Sequence, residues 1–282
     1  MTRPVRLGLA LVLLFGVVAC RDRAQPAGSA ERRVRPVLGD HENELNVRRA
    51  LFEALTPVTL KNCVMKRFGS ANDGGYVMCE NLLQDVKTAY SYGIGGNDDW
   101  GCEISRTLKV PVHQYDCFQP PTMSCEGGQF VPHNECVGPV AMTEESRVFD
   151  TVQSHIKRNG DSGRRLLVKM DIEGAEWKSI LATPDEILDT FDQLPMELHG
   201  TSDPLFLEAV EKLKRNFYLV HLHFNNWACR PELAPFAAGA FQVLFVNKRV
   251  GILGTPESGD GSGRAFDAPD NPKGPDCQRP SP

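Results

Sequence analysis

Three carboxylates lie within the segment LLVKMDIEGAEW, residues 166–177: Asp171, Glu173 and Glu176. They follow an apolar run that predicts a buried strand. Such a strand does not itself need carboxylates at its end, whereas open α/β sheets bind ligands outside the carboxyl ends of their strands. The spacing therefore predicts that Asp171 and Glu173 face a ligand. Glu176 falls in the first turn of the next helix, where a carboxylate also suits the helix dipole.

A glycine-rich turn and a single aspartate occupy equivalent positions earlier in the chain. Gly93, Gly95 and Gly96 follow a predicted strand and precede a predicted helix. Glycines at such a turn let a ligand approach the backbone closely. Asp116 closes the next predicted strand, about 20 residues further on, where a carboxylate can accept hydrogen bonds from both hydroxyls of a ribose.

Glu197 and His199 end the strand that follows the acidic segment. Each of these signals has an ordinary explanation when it is taken singly: a tight turn for the glycines, a helix cap for the aspartate, an exposed loop for His199. In this order along the chain they predict a nucleoside-cofactor site, with acidic residues over the reaction centre.

The elements that must position these residues alternate between strand and helix patterns. Strands are predicted at residues 88–94, 110–115, 166–172, 193–198, 218–224 and 241–246. Helices are predicted after Gly96, over 143–158, from a capping box at Thr183 to Glu186, and from Asp203. The alternation predicts a mostly parallel sheet covered on both faces, whose last two strands can form an antiparallel pair.

The first 20 residues predict a targeting segment. Arg3 and Arg6 precede an apolar run over residues 7–19, shorter than the ~20 residues of a membrane span. This pattern is typical of a signal peptide. Its end, Val-Val-Ala-Cys, resembles a bacterial lipobox with Cys20 as the lipidated residue; an ordinary cleaved signal or a short signal anchor are the alternatives.

Composition divides the remainder of the chain. Residues 21–45 are polar and predict a linker, 46–253 predict the folded domain, and 254–282 predict a disordered tail. Nine cysteines are present; without Cys20 an even number remains, which favours disulfides in an oxidising compartment but does not fix their pairing. The net charge of −5 argues against a general nucleic-acid partner.

The segment KMDIEGAEW, residues 169–177, resembles the signature of FkbM-type methyltransferases. RFGSANDGGYVMC (67–79) and SYGIGGNDDWGCEIS (91–105) are similar to a related branch of methyltransferase-like proteins. That branch also shows Glu-x-His after the next strand, here Glu197-Leu198-His199, and a pattern matched by HLHFNN (221–226). The resemblance covers residues 60 to 250, which is nearly the whole predicted domain.

The resemblance implies an α/β fold: the Rossmann-like seven-stranded methyltransferase sheet, mostly parallel with a C-terminal antiparallel hairpin. It also implies S-adenosyl-L-methionine as cofactor and O-methylation of a sugar or other small hydroxyl acceptor. The cofactor-binding residues it implies are Gly93, Gly95, Gly96, Asp98, Asp116 and Asp171. The residues it places around the acceptor hydroxyl are Asp171, Glu173, Glu197 and His199. Asn97 and Asp98 depart from a simpler glycine turn.

A general base helps to deprotonate a hydroxyl acceptor, and His199 is the candidate by residue type. Asp171 or Glu197 could orient His199 or take the proton directly. A competing hypothesis is a divalent metal bound by His221 and His223 together with Asp171 or Glu197, since the two histidines share one face of a strand; the prediction retained is that no metal is bound.

Export and a cofactor made in the cytosol are in tension. The alternative function is therefore an exported, membrane-tethered, non-catalytic ligand- or carbohydrate-binding domain on the same fold. A nicotinamide-linked enzyme fits less well, because Asp98 stands where the last glycine of Gly-x-Gly-x-x-Gly would be. The expected partner is a small-molecule or glycan acceptor, with membrane contact only through the N-terminal signal or lipid anchor.

Overall fold

The computed structural model describes residues 38–255 and 264–278. The helices of more than one turn are α1 Leu38–Ala54, α2 Asp99–Leu108, α3 Val152–Arg158, α4 Glu176–Ala182, α5 Asp185–Leu188 and α6 Pro204–Asn216. The strands are β1 Met65–Gly69, β2 Gly75–Cys79, β3 Thr88–Tyr92, β4 Pro111–Tyr115, β5 Gln129–His133, β6 Cys136–Val137, β7 Met142–Glu144, β8 Arg147–Asp150, β9 Leu166–Met170, β10 Phe191–His199, β11 Phe217–Phe224 and β12 Ala240–Asn247. The predicted signal peptide and Cys20 lie outside the described residues.

The protein is an α/β protein with a seven-stranded, mostly parallel sheet, in the order β11-β12-β10-β9-β3-β4-β5. Neighbouring strands from β10 to β5 are parallel, whereas β12 is antiparallel to both β10 and β11. The predicted alternation and the predicted C-terminal antiparallel pair are therefore confirmed. β3 and β9 are buried along their whole length, as expected for central strands covered on both faces.

Two hydrophobic clusters cover the two faces of this sheet. Consecutive strand residues point to opposite faces, so Leu167 packs in one cluster while Leu166 and Val168 pack in the other. Residues of α1, α3, α4 and α6 join the cluster of Leu166. Residues of α2 and of the β1–β2 hairpin join the cluster of Leu167. Full burial of each such aliphatic side chain contributes about 1.5–3 kcal/mol, which fixes the register of the central strands.

The helix predicted over 143–158 is wrong in its first half. That half forms β7 and β8, which pair antiparallel with Glu144 opposite Arg147. Glu145 and Ser146 between them both have positive φ, 47° and 68°, as a tight two-residue hairpin turn requires. The helix begins only after Thr151, whose hydroxyl accepts a hydrogen bond from the Ser154 N–H.

The two later helix starts differ in how they are capped. The carboxylate of Asp203 caps α6 by accepting from Leu205 N, with Pro204 in the first turn, as predicted. The capping box predicted at Thr183 does not form, although α5 begins at Asp185. Thr183 ends α4 instead, because its hydroxyl donates to the Ser179 carbonyl at 2.7 Å.

Four disulfides join Cys63–Cys79, Cys102–Cys125, Cys117–Cys136 and Cys229–Cys277. They confirm the prediction of disulfide bonding and indicate an oxidising, extracellular environment. No helix within the described ranges is long and apolar enough to cross a bilayer.

The predicted disordered tail is wrong for residues 264–278, here called the C-terminal strap. Cys277 bonds Cys229, the backbone N–H of Asn271 donates to the Asn226 side chain at 2.7 Å, and Asp270 is only 1% exposed. The strap has few apolar side chains, so composition alone predicts disorder; a covalent bond and buried polar contacts hold it instead. The predicted linker is likewise helical from Leu38, the first residue of α1.

The Cys229–Cys277 bond should anchor the strap and stabilise the fold. It closes a sequence separation of 48 residues, so loop entropy predicts that Cys229→Ser/Cys277→Ser lowers the free energy of unfolding by about 2–4 kcal/mol. Urea denaturation measures this change, and limited proteolysis should cut the strap first. Cys63→Ser/Cys79→Ser, which opens a separation of 16 residues, is the control that leaves the strap protected. Equal protection of the strap in both variants would contradict its anchoring by Cys229–Cys277.

Candidate functional site

A cavity of about 720 Å³ lies at the carboxyl ends of β3, β4 and β9. Its polar wall includes Gly95, Asp116, Asp171 and Glu173, and its apolar wall includes Ile94, Trp100, Phe118, Val137, Phe149 and Ile172. The structure thus brings the glycine turn, the aspartate after β4 and the acidic segment after β9 to one place. A shallower hollow of about 890 Å³ lies beyond His199 and contains none of the other predicted site residues.

Gly93 permits the closest backbone approach in the site. Its φ is 70°, and a Cβ at this position would lie 1.6 Å from the Asp171 carbonyl oxygen. Gly95 and Gly96 also have positive φ, but a Cβ at Gly95 would meet nothing within 4 Å. Gly93 therefore packs the turn against β9, while Gly95 leaves open space for a ligand.

The carboxylate of Asp116 ties the glycine turn to the loop after β4. One oxygen accepts from Ile94 N and Gly95 N, at 3.1 and 3.0 Å. The other accepts from Phe118 N and Gln119 N, at 2.9 and 2.8 Å. These four bonds use the four lone-pair sites of a carboxylate. A ribose bound here must therefore replace or share some of them, and the ribose role of Asp116 stays a prediction.

Asp98 serves as the N-cap of α2. Its Oδ1 accepts from Gly101 N at 2.7 Å and its Oδ2 accepts from Gln114 Nε2 at 2.9 Å. The side chain borders the cavity but is 4% exposed, so the structure gives this predicted cofactor residue a supporting position. An aspartate just before the amphipathic pattern of Trp100 and Ile104 is the signal that predicts a cap.

Asp171 accepts a hydrogen bond from the Tyr76 hydroxyl at 2.9 Å through Oδ2. The Lys169 ammonium lies 3.5 Å from the same oxygen and donates to the Gly93 carbonyl. Glu173 has a φ of 55° and its side chain is 89% exposed. Asp171 is thus held at the base of the cavity, whereas Glu173 lies at its rim.

Glu176 orients His199, a role that helix-dipole reasoning does not predict. Its fully buried carboxylate accepts from Ile172 N at 2.7 Å and from Gly174 N at 3.0 Å. Its Oε1 also lies 3.1 Å from His199 Nδ1. The sequence signal for this arrangement is a carboxylate four residues after Ile172, in the turn that follows β9. A carboxylate at this distance can reach back to the backbone of the turn.

The other nitrogen of His199 faces two more carboxylates. Nε2 lies 3.5 Å from Glu173 Oε2 and 3.7 Å from Glu197 Oε1. The side-chain amide of Asn225 donates to Glu197 at 2.7 Å. Asp171, Glu173 and His199 thus offer side-chain atoms within 4.8 Å of one another, and Glu197 and Asn225 lie beside them. Their role at an acceptor hydroxyl stays a prediction.

The pKa values of Glu197 and His199 both lie above their ordinary values, but for different reasons. For Glu197, burial and the nearby Asp171 and Asp270 raise the pKa to about 8. For His199, burial would lower the pKa, but the hydrogen bond and charge of Glu176, with the charge of Glu197, raise it to about 9. At neutral pH His199 therefore carries a proton in the ligand-free site.

The two late histidines do not join the acidic residues of the cavity. His221 and His223 lie 3.0 and 3.4 Å from Asp267 of the C-terminal strap. Burial would raise the pKa of Asp267, but its hydrogen bonds to the two histidines lower it to about 2. Within the described ranges no ligand-spaced group combines these histidines with Asp171 or Glu197, so the geometry does not support that competing metal hypothesis. Two other groups have metal-ligand spacing: Asp171, Glu173 and His199, and Asp73, Glu197 and Asp270.

No protein-family model matches the chain, and a search of curated proteins finds no significant match.

The stability of the fold should fall as pH rises through the range where these groups titrate. The folded state keeps protons on Glu197 and His199 that the unfolded chain has lost, because their pKa values rise from 4.5 to about 8 and from 6.5 to about 9. The linkage relation then makes these two groups lower the free energy of unfolding from pH 6.5 to pH 9. Below pH 6.5 His113 and His155 act in the opposite direction, because burial lowers their pKa values to about 4 and about 3. Glu197→Gln should flatten this decrease, as measured by urea denaturation across the range.

Glu211→Gln, at a 57%-exposed side chain on α6, is the matched control and should keep the wild-type slope. A Glu197→Gln slope equal to that of wild type would contradict the shifted pKa of Glu197.

Proposed function

We propose that this protein is an S-adenosyl-L-methionine-dependent methyltransferase that methylates an oxygen of a sugar or other small hydroxyl acceptor. The observation that carries the proposal is the meeting of the glycine turn, Asp116 and Asp171 at one cavity of about 720 Å³. That volume is within the usual range of about 300–1,000 Å³ for small-molecule and cofactor sites.

The strand order supports the same proposal. From β3 the chain adds β4 and β5 on one side of the sheet, and then β9 and β10 on the other. The order thus reverses between β3 and β9, and ligands in open α/β sheets bind at such a switch point. The resemblance to methyltransferases also implies a Rossmann-like sheet whose last strand in sequence, here β12, is antiparallel to its neighbours.

The cofactor end of the cavity has the residue types that a nucleoside needs. Phe118 is 65% exposed and offers an aromatic surface beside the glycine turn. Ile94 adds a buried apolar side chain on the turn itself. Asp116 offers its carboxylate to the ribose hydroxyls once these replace part of its backbone hydrogen bonds.

Groups suited to a hydroxyl acceptor lie at one end of the cavity and next to it. Asp171 lines the cavity, whereas His199 does not line it but offers a ring nitrogen within 4.8 Å of an Asp171 oxygen. When bound, S-adenosyl-L-methionine would supply a methyl group on a sulfonium sulfur. Transfer of that methyl carbon from the sulfur to the acceptor oxygen would require the hydroxyl proton to leave to a base. Asp171, fixed by Tyr76, positions the acceptor at the base of the cavity. His199, oriented by Glu176, takes the proton after it has lost its own to solvent.

A second candidate function is an exported, non-catalytic ligand- or carbohydrate-binding domain tethered to a membrane. The four disulfides favour it, because they indicate a compartment outside the cytosol. S-adenosyl-L-methionine is made in the cytosol. The two functions differ in whether the cavity binds the cofactor.

Cofactor binding should depend on Phe118. We expect calorimetric titration to show that S-adenosyl-L-methionine and S-adenosylhomocysteine bind the wild-type protein. Phe118→Ala should weaken binding by about 1–3 kcal/mol, the usual cost of losing a base–aromatic stack. Trp227→Ala removes an aromatic residue that is 64% exposed but does not line the cavity, and should bind as wild type does. A folded wild-type protein that binds neither compound would leave the binding-domain function in its place.

Methyl transfer should depend on His199. With tritium-labelled S-adenosyl-L-methionine and a panel of free sugars and methyl glycosides, His199→Ala should lose about 10²–10⁴-fold in rate while it still binds S-adenosylhomocysteine. The wild-type rate should rise with pH towards about 9, as His199 loses its proton. His41→Ala, at an exposed histidine of α1, is the control. Full methyl transfer by His199→Ala would rule out His199 as the base.

A further inference from the structure

Three carboxylates from three distant segments converge beside the cavity. Asp73 lies in the turn between β1 and β2, Glu197 lies near the end of β10, and Asp270 lies in the C-terminal strap. Each places an oxygen within 4.8 Å of an oxygen from each of the other two. Glu197 is 4% exposed and Asp270 is 1% exposed, so two of the three carboxyl groups are shielded from water.

Asp270 contains a buried acceptor atom without a hydrogen bond. Its Oδ1 accepts from Gln242 Nε2 at 3.0 Å, which fixes the side chain. Its Oδ2 has no hydrogen-bond partner within the described part of the chain and lies 3.9 Å from His223 Nε2. A buried carboxylate oxygen without a donor is costly, and Asp270 is one of three residues with metal-ligand spacing.

Nearby cations make their close contacts with other acceptors. The Arg67 guanidinium donates to the carbonyls of Ser70 and Asn72. The Lys169 ammonium donates to the Gly93 carbonyl and lies beside Asp171. His199 pairs most closely with Glu176, at 3.1 Å, and His223 with Asp267, at 3.4 Å.

We propose that Asp73, Glu197 and Asp270 bind one divalent cation of the oxygen-preferring class, Ca²⁺, Mg²⁺ or Mn²⁺. An all-carboxylate ligand set suits these hard ions, whereas protein sites for Zn²⁺ and Cu²⁺ more often contain nitrogen and sulfur ligands. The cation joins the β1–β2 turn, the end of β10 and the strap. Because Asp73 also lines the cavity, the ion lies at its edge. The proposal does not depend on methyl transfer.

Calorimetric titration of MnCl₂ and CaCl₂ into the full chain, with its disulfides intact and the protein first treated with a chelator, tests this site. Wild type should bind one equivalent of Mn²⁺ or Ca²⁺ and show a higher melting temperature with it. Asp270→Asn, which keeps the shape of the side chain, should weaken binding about 10-fold or more. Asp276→Asn, at a half-exposed carboxylate of the same strap, should bind as wild type does.

Two results would overturn the proposal, and neither of them could be produced by misfolding of the Asp270→Asn variant. One is the absence of cation binding and of any rise in melting temperature in the wild-type protein. The other is wild-type affinity in Asp270→Asn together with loss in Glu173→Gln, which would place the ion at the neighbouring group of Asp171, Glu173 and His199. Because the titration contains no S-adenosyl-L-methionine, its outcome is separate from that of the proposed methyltransferase activity.

Discussion

The contact between Gly93 and the backbone of Asp171 is the constraint on which the site depends. Gly93 N donates to the Tyr115 carbonyl and Asp171 N donates to the Tyr92 carbonyl, at 2.9 and 3.1 Å. The ends of β4, β3 and β9 are thereby joined in one row. A side chain at Gly93 would overlap the Asp171 carbonyl, so the chain turns towards the cavity only because position 93 has no Cβ.

Around this contact, buried polar groups hold the parts of the site in fixed directions. Asp116 holds the glycine turn through backbone N–H groups, and Glu176 holds both the turn after β9 and the imidazole of His199. Burial alone would lower the pKa of His199, but the interior screens charge weakly, so the hydrogen bond and charge of Glu176 raise it. One set of interactions thus shapes the site and sets the pH range in which its candidate base loses a proton.

The sequence predicts the central strands well because each is a short apolar run closed by polar residues. It places β3, β4, β9 and β10 within three residues of their observed limits, and it places their polar ends on one edge of the sheet. It fails at β7 and β8, where a two-residue turn of Glu145 and Ser146 with positive φ has no glycine or asparagine to mark it.

The other failures have long-range causes. The strap is ordered by Cys229 and Asn226, which are distant from it in sequence. The composition of residues 254–282 gives no information about these partners. Asp270, a ligand in the proposed cation site, lies in that segment and was therefore outside the predicted domain. Position along the chain assigns Asp98 to the cofactor and Glu176 to the helix dipole. In the fold both carboxylates instead accept hydrogen bonds from backbone N–H groups that a folded turn or helix start presents.

A crystal structure of the protein soaked with S-adenosylhomocysteine tests the proposed cofactor site most directly. The geometry predicts electron density for the nucleoside between Phe118 and the glycine turn. The ribose hydroxyls should lie on Asp116, and the hydrogen bonds from Ile94 N and Gly95 N to that carboxylate should be lengthened or lost. A cavity that stays empty at saturating ligand, with these bonds unchanged, would contradict a cofactor site at the carboxyl ends of β3 and β4.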